Sequence, residues 1–244
     1  MKILLAPSEN KIDGGDKIFD ISSLLFKELL PLRNKLLHKY INILQRGNFD
    51  ELSKLFGIKN KDKISCHIKD IINEPCIKAI ERYSGVAFDK IEYNQLDMKA
   101  KEYIDNNLLI FSNLWGVLKA NDLIPNYKLK QNEDLGDIRV DKFYKEELSN
   151  LLDNYLKDEE ILDLRSTHYN KFYIPNKNYY SVKILKDNKV VSHWAKAYRG
   201  IIVNEIAKHN INSIDELMKH KIKNLELIEI KIIKNKKEIL YKVI

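Results

Sequence analysis

The chain has 244 residues, 44% hydrophobic and 32% charged, with a formal net charge of +7. That length suits one large domain or two small ones, and the balance is that of a soluble globular protein rather than a disordered or fibrous chain. No apolar run approaches 18 residues, so no transmembrane helix is expected, and the two cysteines, Cys66 and Cys76, form no CxxC pair, which argues against a disulfide framework or structural zinc.

Residues 2–6 read as a short buried strand. Glu9, Lys11 and Asp13 follow at once, so this start reads as a strand of a cytoplasmic protein and not as a signal peptide. Residues 7–20 are a loop holding Gly14-Gly15. Pro31 suits a first helical turn, and Leu32, Leu36, Leu37, Tyr40, Ile41 and Leu44 keep helical spacing, so a helix is expected over about 31–45 with Gly47 ending it. A second helix runs from Phe49 or Asp50 to Phe56, closed by Gly57. Residues 60–81 read as two helical pieces broken at Pro75. A polar helix at 97–105 leads into a strand at 107–112, and 119–140 is loop-rich. An amphipathic helix covers 141–156, and a strand 160–164. Residues 179–186 and 189–194 alternate around Asp187-Asn188 and read as a hairpin. Helices follow at 195–208 and 213–219, the latter with Ser213 as N-cap and Glu216 completing a capping box. Two strands, about 224–233 and 237–244, meet at Asn235. With no Pro-, Gly- or Ser-rich linker and no repeat, the expectation is one α+β domain over 1–244, a mixed β-sheet wrapped by helices.

Three strand ends carry most of the polar chemistry, and loops at the ends of buried strands are where binding residues gather. In the first, Ser8, Glu9 and Lys11 bind phosphate, hold one another in a network, or form a plain solvated turn. In the second, Ser112, Trp115, Gly116, Lys119 and Asp122 follow a buried strand. Trp115 is either a base-stacking ring or core, and Asp122 either orients Lys119 or caps the turn. In the third, Asp163 beside Arg165 anchors a buried polar network or a ligand. Ser166 and His168 lack the G-x-S-x-G setting of a hydrolase nucleophile.

Lys196 and Arg199 stand three apart at a helix start, which makes either an anion site or a solvated basic turn. Leu52 to Asn60, with Lys54, Gly57 and Lys59, looks like the hairpin of a helix-hairpin-helix near 50–71, a device that offers backbone N–H groups to nucleic-acid phosphates; a plain packing corner is the alternative. No HExxH, paired histidine ligands or clustered cysteines occur, so neither a metal nor a cofactor is expected.

Taken together, Leu4-Leu5-Ala6-Pro7-Ser8-Glu9-Asn10-Lys11 with Gly14-Gly15, Arg82 through Phe88, Leu114-Trp115-Gly116-Val117-Leu118 with Asp122 through Leu129, Asp163-Leu164-Arg165-Ser166 with Tyr169, and Lys196 with Arg199-Gly200 resemble the YaaA family of bacterial peroxide stress proteins. The resemblance runs from residue 3 to about 220. It implies protection against hydrogen peroxide by keeping unincorporated iron low, and DNA binding through a helix-hairpin-helix and a basic cleft in an α+β fold, with no reaction firmly assigned. The family's motifs carry over to Pro7, Ser8 and Lys11, to Tyr83 and Gly85, to Gly116, Lys119 and Asp122, and to Lys196, Arg199 and Gly200. Lys119-Ala120 stands where Arg-Pro is usual, Lys128 where Arg is usual, and Phe88 where Tyr is common. Lysine keeps the charge but lacks the bidentate fork of arginine.

The expectation for the site is therefore a basic cleft on which Lys11, Lys119, Lys128, Arg165, Lys196 and Arg199 converge, with Lys54 and Lys59 of the hairpin as further nucleic-acid contacts on its rim, oriented by Ser8, Ser112, Trp115, Asp122, Asp163 and Ser166. Its partner is DNA held by the backbone with weak sequence preference, or else a small anionic ligand or nucleotide, with no membrane involved. The alternative is an enzyme acting on a nucleotide or nucleobase, with Lys11 or Lys196 as a Schiff-base nucleophile.

Overall fold

A computed structural model describes residues 1–186, 189–190 and 192–244. In chain order its elements are β1 (Lys2–Leu5), α1 (Leu30–Arg46), α2 (Phe49–Phe56), α3 (Lys61–Ser65), β2 (Ile77–Lys78), α4 (Ala79–Arg82), α5 (Val86–Ile91) and α6 (Met98–Asn107). Then come β3 (Leu108–Ser112), β4 (Gly116–Lys119), β5 (Leu123–Ile124), α7 (Val140–Tyr155), β6 (Ile161–Asp163), β7 (Tyr179–Lys186) and β8 (Lys189–Val190). The last are α8 (Ser192–Lys208), α9 (Ile214–Lys219), β9 (Leu225–Ile233) and β10 (Lys236–Val243).

The helices begin and end where local chemistry dictates. Pro31 sits in the first turn of α1, and Gly47 closes that helix in the left-handed region at φ +63°. Asn48 caps α2 by accepting the Glu51 N–H at 3.0 Å. Ser213 caps α9 through the Glu216 N–H at 3.2 Å, and the Glu216 carboxylate reaches back to the N–H of Asn212 at 2.7 Å, one residue before the cap.

Seven strands run in the order β4-β3-β1-β6-β7-β10-β9, and β8 pairs with β7. The pairs β3/β1, β1/β6, β6/β7 and β7/β10 are parallel, while β4/β3, β10/β9 and β7/β8 are antiparallel. The fold is thus α+β with a mixed sheet, as the sequence implies. Strands β1 and β3 are buried on both faces (Ile3, Leu4, Leu5; Leu108 to Phe111), which is the burial that parallel pairing demands. The chain leaves β1, crosses to β3 on one side, then returns to β6 on the other. Adjacent strands whose connections diverge in this way open a crevice at their carboxyl ends.

Some elements differ from the sequence reading. Residues 60–81 hold only the five-residue α3, then turns, the short strand β2 and the start of α4. Pro75 breaks the segment as expected, but Cys76 is drawn into a bridge with Lys17, so the chain runs extended there. Residues 119–140 include β5, paired with β2. The hairpin strand ends at Val190 and α8 begins at Ser192; its Asp187-Asn188 turn and Val191 lie outside the described residues. Around the Gly57 corner, the Gly57 N–H is bonded to Lys54 O and the Ile58 N–H to Ser53 O, an ordinary helix C-cap. No helix among the described residues is long and apolar enough to cross a membrane.

Candidate functional site

The loops that leave β1 and β6 form one wall of a cavity of about 500 Å³. The β1 loop is held in place from below. Lys11 and Tyr83 form a β-bridge, the Ser84 N–H bonds to Asn10 O at 3.0 Å, and the Ile12 N–H to Arg82 O at 3.0 Å. The Arg82 side chain, fully buried, donates to the carbonyls of Ile12 (2.6 Å), Gly14 (2.9 Å) and Pro75 (2.7 Å). A guanidinium can serve several carbonyls at once because its donors spread in a fixed fork. Gly15 completes the clamp: at φ +122° it lies so close to Cys76 that a Cβ would stand 2.6 Å from the carbonyl oxygen.

Ser8, Glu9 and Asn10 from the β1 loop, Ser166 from the β6 loop and Gln131 supply the polar lining, with Leu5, Val86 and Phe88 among the apolar wall. Lys196 and Arg199, three apart on α8, face the same space. Arg199 is half-buried and makes no side-chain hydrogen bond or ion pair with any of the described residues; burial pulls its basicity down, and the Asp163 charge works against that pull. A desolvated guanidinium with all its donors available is a strong acceptor-seeking group. Two glycines make the convergence possible. At Gly200 a Cβ would collide with the Ala87 carbonyl oxygen, so only glycine lets α8 lie against α5. At Gly85, φ is +119° and a Cβ would stand 3.1 Å from Ser8 Oγ.

A narrower cavity shares Pro7, Ser8, Glu9 and Gln131 with the first and reaches Lys11. The Lys11 ammonium lies 4.0 Å from the Tyr127 ring centre and 5.1 Å from that of Tyr83. Desolvation chiefly, then the charge of Lys128, lowers its pKa to about 7, against the opposing pull of Glu9. Beneath it the Tyr83 and Tyr127 hydroxyls are 2.8 Å apart, and Ser112 Oγ lies 2.8 Å from the Tyr127 hydroxyl. Burial raises the Tyr83 phenol to about 12 and the Tyr127 phenol as well, so both stay neutral and this network passes hydrogen bonds, not charge.

The other residues singled out from sequence have different settings. Asp163 accepts from Arg165 Nε (2.9 Å) and Nη2 (2.7 Å), and Arg165 also donates to Tyr173 O at 3.1 Å, so this pair is a buried polar network and neither residue lines the cavity. Trp115 is fully buried against Phe19 and Tyr127 and can stack on no ligand. Asp122 caps the turn, accepting the N–H groups of Lys119 (2.9 Å) and Leu25 (3.1 Å). Lys128 donates to Glu9 O at 3.4 Å and supports the β1 loop. Lys54 and Lys59 are exposed at the α2–α3 corner and line neither cavity, and Lys119 lines neither. Of the six cations expected to converge, Lys196 and Arg199 share the larger cavity, and Lys11 stands behind its wall.

Sequence reasoning passed over Arg33, Arg82 and Gln131. Arg33, fully buried, donates to the carbonyls of Trp115, Phe26, Leu25 and Val117 and so fixes the loop after β3. Gln131 donates to the Tyr169 hydroxyl at 2.8 Å and takes Glu9 Oε1 on its own N–H at 2.9 Å, which sets the carboxylate at the cavity rim. Arg82 had one visible signal, its place in the Arg82–Phe88 run.

Among curated proteins, the chain is 43% identical to an uncharacterised protein of Campylobacter jejuni over the full length of both. It is 30% identical to a UPF0246 protein of Fusobacterium nucleatum over 88% of each chain, and 32% identical to a UPF0246 protein of Rickettsia peacockii over 84% of this chain and 86% of that one. A family model described as peroxide stress protein YaaA matches residues 1–230, and the motifs that build the cavity fall inside that span, so the chain belongs to the YaaA peroxide stress family.

Proposed function

We propose that this family member acts by holding a phosphate-bearing nucleotide in the cavity between the β1 and β6 loops, and that this underlies a role in limiting oxidative, iron-linked damage. The observation that carries the reading is Arg199, a half-buried guanidinium without a hydrogen-bond partner among the described residues, standing beside Lys196 on the cavity wall. Two cations suit one phosphate group or a diphosphate. The apolar patch of Leu5, Val86 and Phe88 suits a base or sugar, and a volume of about 500 Å³ lies in the range of small-molecule sites. Calorimetric titration with nucleoside mono-, di- and triphosphates tests it: one ligand should bind per chain, and Arg199→Ala should weaken binding at least tenfold.

Lys11 favours an enzymatic reading centred on the narrower cavity that adjoins this one. An amine with a pKa near 7 is substantially neutral at physiological pH and can attack a carbonyl carbon, forming an imine with loss of water. Borohydride should then trap an adduct on a sugar aldehyde such as an abasic nucleotide, and the adduct should vanish in Lys11→Ala. Equal trapping in both proteins would remove this version.

Binding of DNA by its backbone is a second reading, supported by the net charge of +7 and by exposed Lys54, Lys59, Lys61 and Lys63 around the α2–α3 corner. It differs from the first in salt dependence. Many released counterions give a steep slope, whereas two cations give a shallow one.

A further inference from the structure

At the far end of α8, Glu205 and His209 stand one helical turn apart, and the chain folds back through α9 to set His220 beside them. His220 Nε2 lies 2.9 Å from Glu205 Oε2, and His209 Nε2 lies 3.6 Å from the same oxygen. All three ligand atoms fall within 4.8 Å of one another, and the two imidazole rings are 4.5 Å apart. We propose that Glu205, His209 and His220 form a binding site for a divalent transition-metal ion at the α8–α9 corner.

Distances, donor set and scaffold each point the same way. Ligands at about 2.1 Å from a shared ion are about 3.0 Å apart in octahedral and about 3.4 Å apart in tetrahedral geometry. The two separations from Glu205 Oε2 bracket those spans and the remaining pair lies within 4.8 Å, so side-chain rotation is what brings the three atoms onto one ion. Two imidazoles and one carboxylate select borderline ions such as zinc, cobalt(II) or iron(II), while magnesium and calcium prefer all-oxygen sets. The corner that presents them is well packed. Ile206, Ile211, Ile214 and Leu217 are buried beneath it, the Ile211 N–H bonds to Ile206 O at 3.0 Å, and Tyr103 donates to Ile211 O at 2.5 Å. Glu205 and His220 are each about 21% exposed and His209 is 54% exposed, so the ion would keep at least one position open to water or a ligand. Twelve residues of helical rise separate Lys208, next to His209, from Lys196, roughly 18 Å, which places this site away from the anion cavity.

Sequence reading had no way to pair these residues, because only Glu205 and His209 share a spacing and His220 arrives through a turn. The alternative is a purely hydrogen-bonded cluster, in which the carboxylate accepts from both rings and nothing is coordinated.

Titration of the untagged full-length protein separates the two. Calorimetry with Zn²⁺ should give one ion per chain, Co²⁺ should develop visible d–d absorption, and added Zn²⁺ should raise the Tm of the wild type. His220→Gln and Glu205→Gln should each weaken binding at least tenfold. A wild type that shows no stoichiometric Zn²⁺ uptake, or variants that bind as it does, would overturn the proposal. The wild-type titration decides the matter even where a variant fails to fold.

Discussion

Lys11 is the residue whose setting departs furthest from its sequence appearance. In the chain it reads as one loop lysine among many, yet its ammonium is enclosed by Tyr83 and Tyr127. Desolvation, reinforced by Lys128, brings its pKa down to about 7. The sign for stability follows. Below about pH 7 both the folded and the unfolded chain hold the proton, and the folded state bears the full cost of an enclosed charge. As pH rises from there toward the ordinary lysine range, the folded chain has released a proton that the unfolded chain keeps, so this group makes stability climb with pH. Lys11→Met should remove that climb. Urea unfolding of both proteins from pH 6 to 9.5 should show the variant's advantage shrinking as pH rises, and parallel curves would contradict the desolvation of the Lys11 amine. The Ser8–Glu9–Lys11 cluster was legible as a strand-end loop, but its two cavities were not. Equally, Arg33 and Arg82 look like surface charges in sequence, while each is buried and engaged by carbonyls. Nothing local marks such an arginine, because its partners come from distant loops.

Helices and strands with strong local signals were legible at the scale of elements. The apolar stripe of α1, the Gly57 stop of α2, the Ser213 cap and the closing hairpin of β9 and β10 all follow from spacing and turn residues. Short elements were not. The six residues of α5 and the two of β5 exist because of what they pack against, and no periodicity can show in so few residues. The α5–α8 contact is the element on which the site depends, since it brings Arg199 over the β1 loop. Its tolerance is set by Gly200, where a side chain would strike the Ala87 carbonyl and Lys90 Cβ. Gly200→Ala should therefore cost about 1–3 kcal/mol, the usual penalty of overpacking, despite alanine's better helix propensity. Chemical denaturation measures it. A neutral or stabilising effect would show that the two helices can part without loss.

The whole molecule places one crevice at the carboxyl ends of β1 and β6, where the chain's connections diverge, and lines it with two cations from a single helix. Fold class was legible because alternating strands and helices without linkers leave few packing solutions. The convergence of chemistry on that crevice was only partly so: Ser8, Ser166, Lys196 and Arg199 line it, whereas Lys54 and Lys59 stand apart on the α2–α3 corner and Lys119 on the β4 edge. The net charge of +7 does not by itself distinguish one enclosed phosphate from a tracked backbone. The most direct measurement is fluorescence anisotropy of a labelled nucleotide and a labelled duplex against wild type and Arg199→Ala at two salt concentrations. The account predicts saturable binding of one nucleotide per chain, a salt slope of about −1 to −2, and loss of that binding in Arg199→Ala. Duplex binding with a steep salt slope, untouched by Arg199→Ala and with no nucleotide bound, would contradict it.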